Sequence, residues 1–65
     1  MIANGDLFIF KELDQLCMIL GPNHKYKNGY WMIVLNNERP DKRIQWDTDY
    51  NFNDPQYYTK VKTND

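Results

Sequence analysis

The chain has 65 residues, room for one domain and no more. Eight Lys and Arg face nine Asp and Glu, a formal net charge of −1 with a pI near 5.7, so the basic excess by which nucleic-acid binders neutralise phosphates is missing. One cysteine, Cys17, excludes an internal disulfide, and Cys17 with the single His24 falls short of the four ligands of a structural zinc site.

Leu7-Phe8-Ile9-Phe10 follows a Gly5-Asp6 turn and reads as the first strand. Lys11 to Leu20 carries two competing patterns. Leu13, Leu16, Cys17 and Leu20 fall at helical spacing, while Leu16-Cys17-Met18-Ile19-Leu20 reads as a strand closed by Gly21-Pro22-Asn23. An isolated ten-residue helix without a capping box is marginal, so the strand is favoured. Asn28-Gly29 is a hairpin-turn dipeptide with room for positive φ, and it opens a third strand, Tyr30 to Leu35. Asn36 to Asp41 is turn chemistry, and Arg43-Ile44-Gln45-Trp46 is a fourth strand. Asp47 to Tyr50 reads as a tight or 3₁₀ turn. Gln56 to Val61, after Asp54-Pro55, makes a fifth strand, and the polar residues from Lys62 onward are expected to fray.

Five short strands at close intervals predict a mostly β domain over residues 1–62, a small antiparallel barrel whose closure hides the sheet edges, with a polar tail at 63–65. The segments Gly5-Asp6-Leu7-Phe8-Ile9-Phe10, Leu16 to Leu20, Tyr30-Trp31-Met32-Ile33-Val34-Leu35 and Ile44-Gln45-Trp46 before Asp47-Thr48-Asp49-Tyr50 resemble short SH3-like barrel proteins frequent among the small reading frames of large tailed bacteriophages. The resemblance covers residues 5 to 50. It implies a five-stranded SH3-like barrel and an accessory virion or host-interaction role. Cys17 stands where glycine is common in the second strand of such proteins. The acidic, tyrosine-containing opening and paired tryptophans of eukaryotic SH3 signalling domains are absent, so no proline-peptide site carries over.

Catalytic constellations are weak. There is no serine, Cys17 lies mid-strand and His24 lies in a loop, so no nucleophile–base pair is indicated. Asp47-x-Asp49-x-Asn51-x-Asn53 imitates the start of a calcium loop, yet Phe52 replaces the turn glycine and Tyr58 the bidentate glutamate. An Asx turn accounts for the same residues. Gly5, Gly21 and Gly29 are isolated turn glycines and form no phosphate loop. The reading is no enzyme, no cofactor and no metal.

Aromatics make up 15% of the chain, a share that suits both strands and interfaces. Alternation divides the strand residues into two sets. With Phe8, Phe10, Cys17, Ile19, Trp31, Ile33, Leu35, Ile44 and Trp46 inward, the opposite phase holds Leu7, Ile9, Leu16, Met18, Leu20, Tyr30, Met32 and Val34, which is equally apolar. A barrel of this size cannot bury both sets unaided, and a large uncovered apolar patch marks an interaction surface. The expectation is a protein-binding module docking on a protein partner, or on itself, through Met18, Leu20, Tyr30, Met32, Tyr57 and Tyr58. The alternative is a nucleic-acid-binding barrel using Lys25, Lys27, Arg39, Lys42 and Arg43 with the aromatics. The N-terminus lacks a basic, apolar leader and no apolar run is long enough to cross a bilayer, so the expected location is intracellular: host cytoplasm or virion if phage-encoded.

Overall fold

A computed structural model describes residues 2–62; the predicted 63–65 tail lies outside them. Five strands, β1 (Leu7–Phe10), β2 (Gln15–Asn23), β3 (Gly29–Val34), β4 (Ile44–Thr48) and β5 (Tyr58–Lys62), form one antiparallel sheet in the order β4-β3-β2-β1-β5. A 3₁₀ turn at Pro40–Lys42 precedes β4, and a single helical turn, α1 (Asp49–Phe52), joins β4 to β5. The chain is therefore mostly β, and Leu16 to Leu20 is strand rather than helix. The hydrogen-bonded closure predicted from the edge argument is not formed: β4 and β5 are the two edges and do not pair with each other.

β2 is longer than its apolar run suggests because it continues through Gly21 and Pro22. Pro22 is tolerated there because it lies beyond the end of β1, where only β3 needs backbone partners. Leu20 is the extra residue of a bulge between the pairs Ile19↔Met32 and Gly21↔Trp31. Gly21 takes φ of 151°, a conformation residues with a Cβ rarely adopt, so a glycine is what lets β2 bend at that point. Asn28 holds φ of 62° and turns the chain into β3, the role its amide side chain suits.

The core lies on one side of the sheet. Phe8, Cys17, Ile19, Met32 and Val34 point to this side, and Ile2, Phe52 and Tyr58 close over them. Phe8, Phe52 and Tyr58 form a ring cluster, with centroids 5.1 Å apart for Phe8–Phe52 and 4.6 Å for Phe52–Tyr58. Thr48 caps α1 by accepting the Asn51 amide at 3.2 Å, which aims Phe52 inward. The Tyr58 hydroxyl donates to Asp47 Oδ2 at 2.8 Å, fastening β5 to β4 where their backbones do not meet. At the other end Asp6, fully buried, accepts the Ala3 amide at 2.9 Å and pairs with Lys60 at 3.2 Å, holding the N-terminal segment and Ile2 over the core. A buried carboxylate persists only when partnered in this way.

Candidate protein-docking face

The register assigns every strand residue to a face. On the side away from the core, one row runs Ile44, Ile33, Met18, Leu7 across four strands, from the pairs Ile33↔Ile44, Met18↔Ile33 and Leu7↔Met18. A second row holds Leu35, Leu16 and Ile9, with the Leu35 amide donating to the Leu16 carbonyl at 2.8 Å and Leu16 opposite Ile9. A third brings Trp31 and Trp46 directly opposite one another. None of these positions carries a charge. Leu20, Trp31, Leu35, Ile44 and Trp46 are exposed, and Leu7, Ile9, Leu16, Met18 and Ile33 are half-buried against one another.

Six residues were expected to form this surface. Leu20 is exposed at the bulge, Met18 is half-buried at the centre of the first row, and Tyr57 is exposed just before β5. Tyr30 is half-buried and packs against the core. Met32 and Tyr58 are corrected: both are 4% exposed and belong to the core, so neither is available to a partner. Tyr58 lies opposite Phe10 of β1 and turns with it onto the core, and for Met32 the reason is the phase of β3 and β4. Met32 lies opposite Ile19 and Val34 opposite Cys17, which places Trp31, Ile33, Leu35, Ile44 and Trp46, expected inward, on the outer face. Both phases of Tyr30 to Leu35 are apolar, and the five-residue turn and the Leu20 bulge, not hydropathy, set the pairing.

The Trp end of the face is built by the β2–β3 turn. Tyr26 stacks on Trp46 with centroids 4.2 Å apart and planes 4° from parallel. Gly29 is buried beneath, next to Tyr26, Asn23 and Trp46. Asn23 is buried nearby, and its Oδ1 accepts the Lys25 amide at 3.1 Å, folding the turn back over the sheet. Lys25 Nζ lies 5.8 Å from the Tyr26 ring centroid. A separate open cleft of about 680 Å³ lies between this turn and α1, lined by Lys27, Tyr50, Asp54 and Pro55 among others.

The remaining chemistry-bearing residues have structural duties. Burial pushes the Cys17 thiol up to about 11, which keeps it protonated and unreactive at neutral pH. Burial, reinforced by the Asp47 carboxylate, holds the Tyr58 phenol far above its ordinary range. Oxygens of the calcium-like run, both of Asp47 and one of Asp49, are engaged within the chain. Asp47 Oδ1 accepts the Thr48 amide at 2.8 Å and Asn51 Nδ2 at 2.7 Å, and Asp49 Oδ1 accepts Asn53 Nδ2 at 2.7 Å. The Asx reading accounts for these contacts. Of the loop cations, Arg43 Nε donates to the Asn37 carbonyl at 3.0 Å, and Arg39 lies 4.0 Å from Asp41 on the surface.

Comparison with known protein families, curated proteins and solved structures yields no match. Among the described residues no helix is long and apolar enough to cross a membrane.

Proposed function

We propose that this chain is a non-enzymatic protein-binding module that docks through the uncharged outer face of its sheet. The observation that carries the reading is the set of large apolar side chains left uncovered there, led by Ile44 at 53% exposed and including both tryptophans of the protein. Each large side chain fully buried by a partner contributes about 1.5–3 kcal/mol, and aromatic anchors near the centre of an interface dominate its energy. In this reading Met18 and Leu20 stay in the docking surface and Trp31, Leu35, Ile44 and Trp46 replace Met32 and Tyr58.

The SH3-like assignment belongs to the same proposal. It is supported by a sheet order that is a simple meander with β5 returned beside β1, and by a single helical turn between β4 and β5. The Tyr58–Asp47 hydrogen bond draws the edge strands toward one another. An accessory virion or host-interaction protein, working inside the host cell or in the particle, is the concrete form that the phage resemblance gives it. The inert, buried Cys17 supports a role without nucleophilic catalysis.

One observation favours a second reading, single-stranded nucleic acid: the exposed Tyr26–Trp46 stack adjoins His24, Lys25 and Lys27. Its weakness is the net charge of −1. The deciding experiment is partner capture from the native host, followed by titration with the purified partner. Trp31→Ala should weaken binding about tenfold or more, and the double change Lys25→Ala, Lys27→Ala should leave it unchanged. Salt-dependent binding of a random oligonucleotide, lost in the lysine double variant, would instead replace the leading reading with the second.

A further inference from the structure

The free edge of β4 has a backbone pattern that is fixed by the ladder to β3. The Val34 amide donates to the Arg43 carbonyl at 2.7 Å and the Asp49 amide to the Asn28 carbonyl at 2.7 Å. Antiparallel pairing alternates, so Arg43, Gln45, Asp47 and Asp49 bond toward β3, and Ile44, Trp46 and Thr48 turn their amides and carbonyls outward. The Thr48 amide is already taken by Asp47 Oδ1 at 2.8 Å. Among the described residues, the positions at which this edge offers both amide and carbonyl are therefore Ile44 and Trp46.

The two edges of the sheet are defended unequally. The pairing of β5 with β1 carries an irregularity at Leu7 and Phe8, a device that discourages edge-to-edge association. β4 is regular from Ile44 to Thr48 and has no lysine, proline or bulge.

We propose that β4 pairs antiparallel with β4 of a second copy of this chain, about a two-fold axis at Gln45. In that register Ile44 lies opposite Trp46 of the other copy, and the four backbone groups each chain offers make four hydrogen bonds in all. Slipping by two residues sets Trp46 against Lys42, whose amide already donates to the Arg39 carbonyl at 2.9 Å, or Ile44 against the occupied Thr48. Slipping by one turns the free groups toward residues that bond to β3. The proposed register also sets Ile44 beside Trp46 on the uncharged face. With a net charge of −1, two copies meet with little repulsion. The result is a ten-stranded sheet whose outer apolar rows run on from one copy into the next. The pairing uses the strand edge and needs no docked partner, so it goes beyond the face-docking role and stands apart from it.

A symmetric cysteine test reads this register directly. At the axis the two Gln45 Cα atoms lie about 4.5 Å apart, the spacing of a non-hydrogen-bonded pair, within the span a disulfide bridges. Gln45→Cys should form a disulfide-linked dimer of twice the 7.9 kDa chain under mild oxidation. Wild type, with only the buried Cys17, and Thr59→Cys on the other edge should not cross-link. Adding Ile44→Lys to Gln45→Cys should slow cross-linking about tenfold, with the far-ultraviolet dichroism of both variants confirming the sheet. Leu20→Lys alters the docking face but not the edge, so Leu20→Lys with Gln45→Cys should still cross-link. That separates failure of the dimer from failure of face docking. Cross-linking of folded Gln45→Cys no faster than Thr59→Cys overturns the proposal. So does a wild-type mass that stays monomeric up to the solubility limit.

Discussion

Val34 and Leu35 are neighbours in the chain, yet Val34 is fully buried and Leu35 is 44% exposed. The same contrast separates the two faces of the whole sheet. Both are lined with aliphatic and aromatic side chains, and hydropathy alone does not tell them apart. The inner face is core because Ile2, Phe52 and Tyr58 close over it, each held by a specific polar contact nearby: Asp6 with Ala3, Thr48 with Asn51, Tyr58 with Asp47. Among the described residues, the outer face has the tip of the β2–β3 turn over its Trp end and little else. Burial here is decided by what covers a face and not by hydropathy.

The sharpest way to break this comparison is to truncate matched positions on the two faces. Phe8→Ala should cost about 3–5 kcal/mol, most or all of the stability of so small a domain, because it hollows the centre of the ring cluster. Met32→Ala should cost about 2–4 kcal/mol in urea unfolding, whereas Ile44→Ala, opposite the outer neighbour Ile33, should cost less than about 1 kcal/mol. Equal losses at Met32 and Ile44 would mean that the outer face is packed as well.

A pH prediction sharpens the inner half of the comparison. The Cys17 thiol rises from 9.0 in its unperturbed state to about 11 in the fold, with burial as the cause. A raised folded pKa favours the protonated form, so this contribution is fully present below pH 9 and is lost as pH climbs toward 11. The loss is on the order of 2–3 kcal/mol. Tyr58, shifted in the same direction, adds to the alkaline loss. Urea titrations at pH 8 and pH 10.5 should show it, and Cys17→Val should reduce it; an unchanged pH dependence in that variant would remove the thiol from the account.

A smaller effect concerns the bend. Gly21→Ala should cost about 1–3 kcal/mol, because φ of 151° strains any residue with a Cβ, although the space for the methyl is adequate. An alanine variant as stable as wild type would show that β2 relaxes without loss.

Much of the architecture was legible in the residues. Apolar runs bounded by Gly5-Asp6, Asn28-Gly29 and Asp54-Pro55 marked the strands, because turn residues act locally and leave a local signature. Leu16 to Leu20 is strand because strands on both sides give it partners. The face assignment of β3 and β4 was not legible. Tyr30 to Leu35 is apolar in both phases, and its pairing depends on a bulge at Leu20 that no local signal marks except the Gly21 beside it. Met32 therefore reads as surface and the tryptophans as inside, the reverse of the structure. Phe52 was also missed as a core residue, since a one-turn helix is too short to show a periodicity.

Because both tryptophans lie on the outer face, their fluorescence reports on it with no background from the core. Acrylamide quenching of the folded chain, at a dilution where it is monomeric, tests the placement directly. The structure predicts solvent-shifted emission and quenching that is a substantial fraction of that in the urea-unfolded chain. Blue-shifted emission that acrylamide scarcely reaches would put Trp31 and Trp46 inside and contradict the assignment of the two faces.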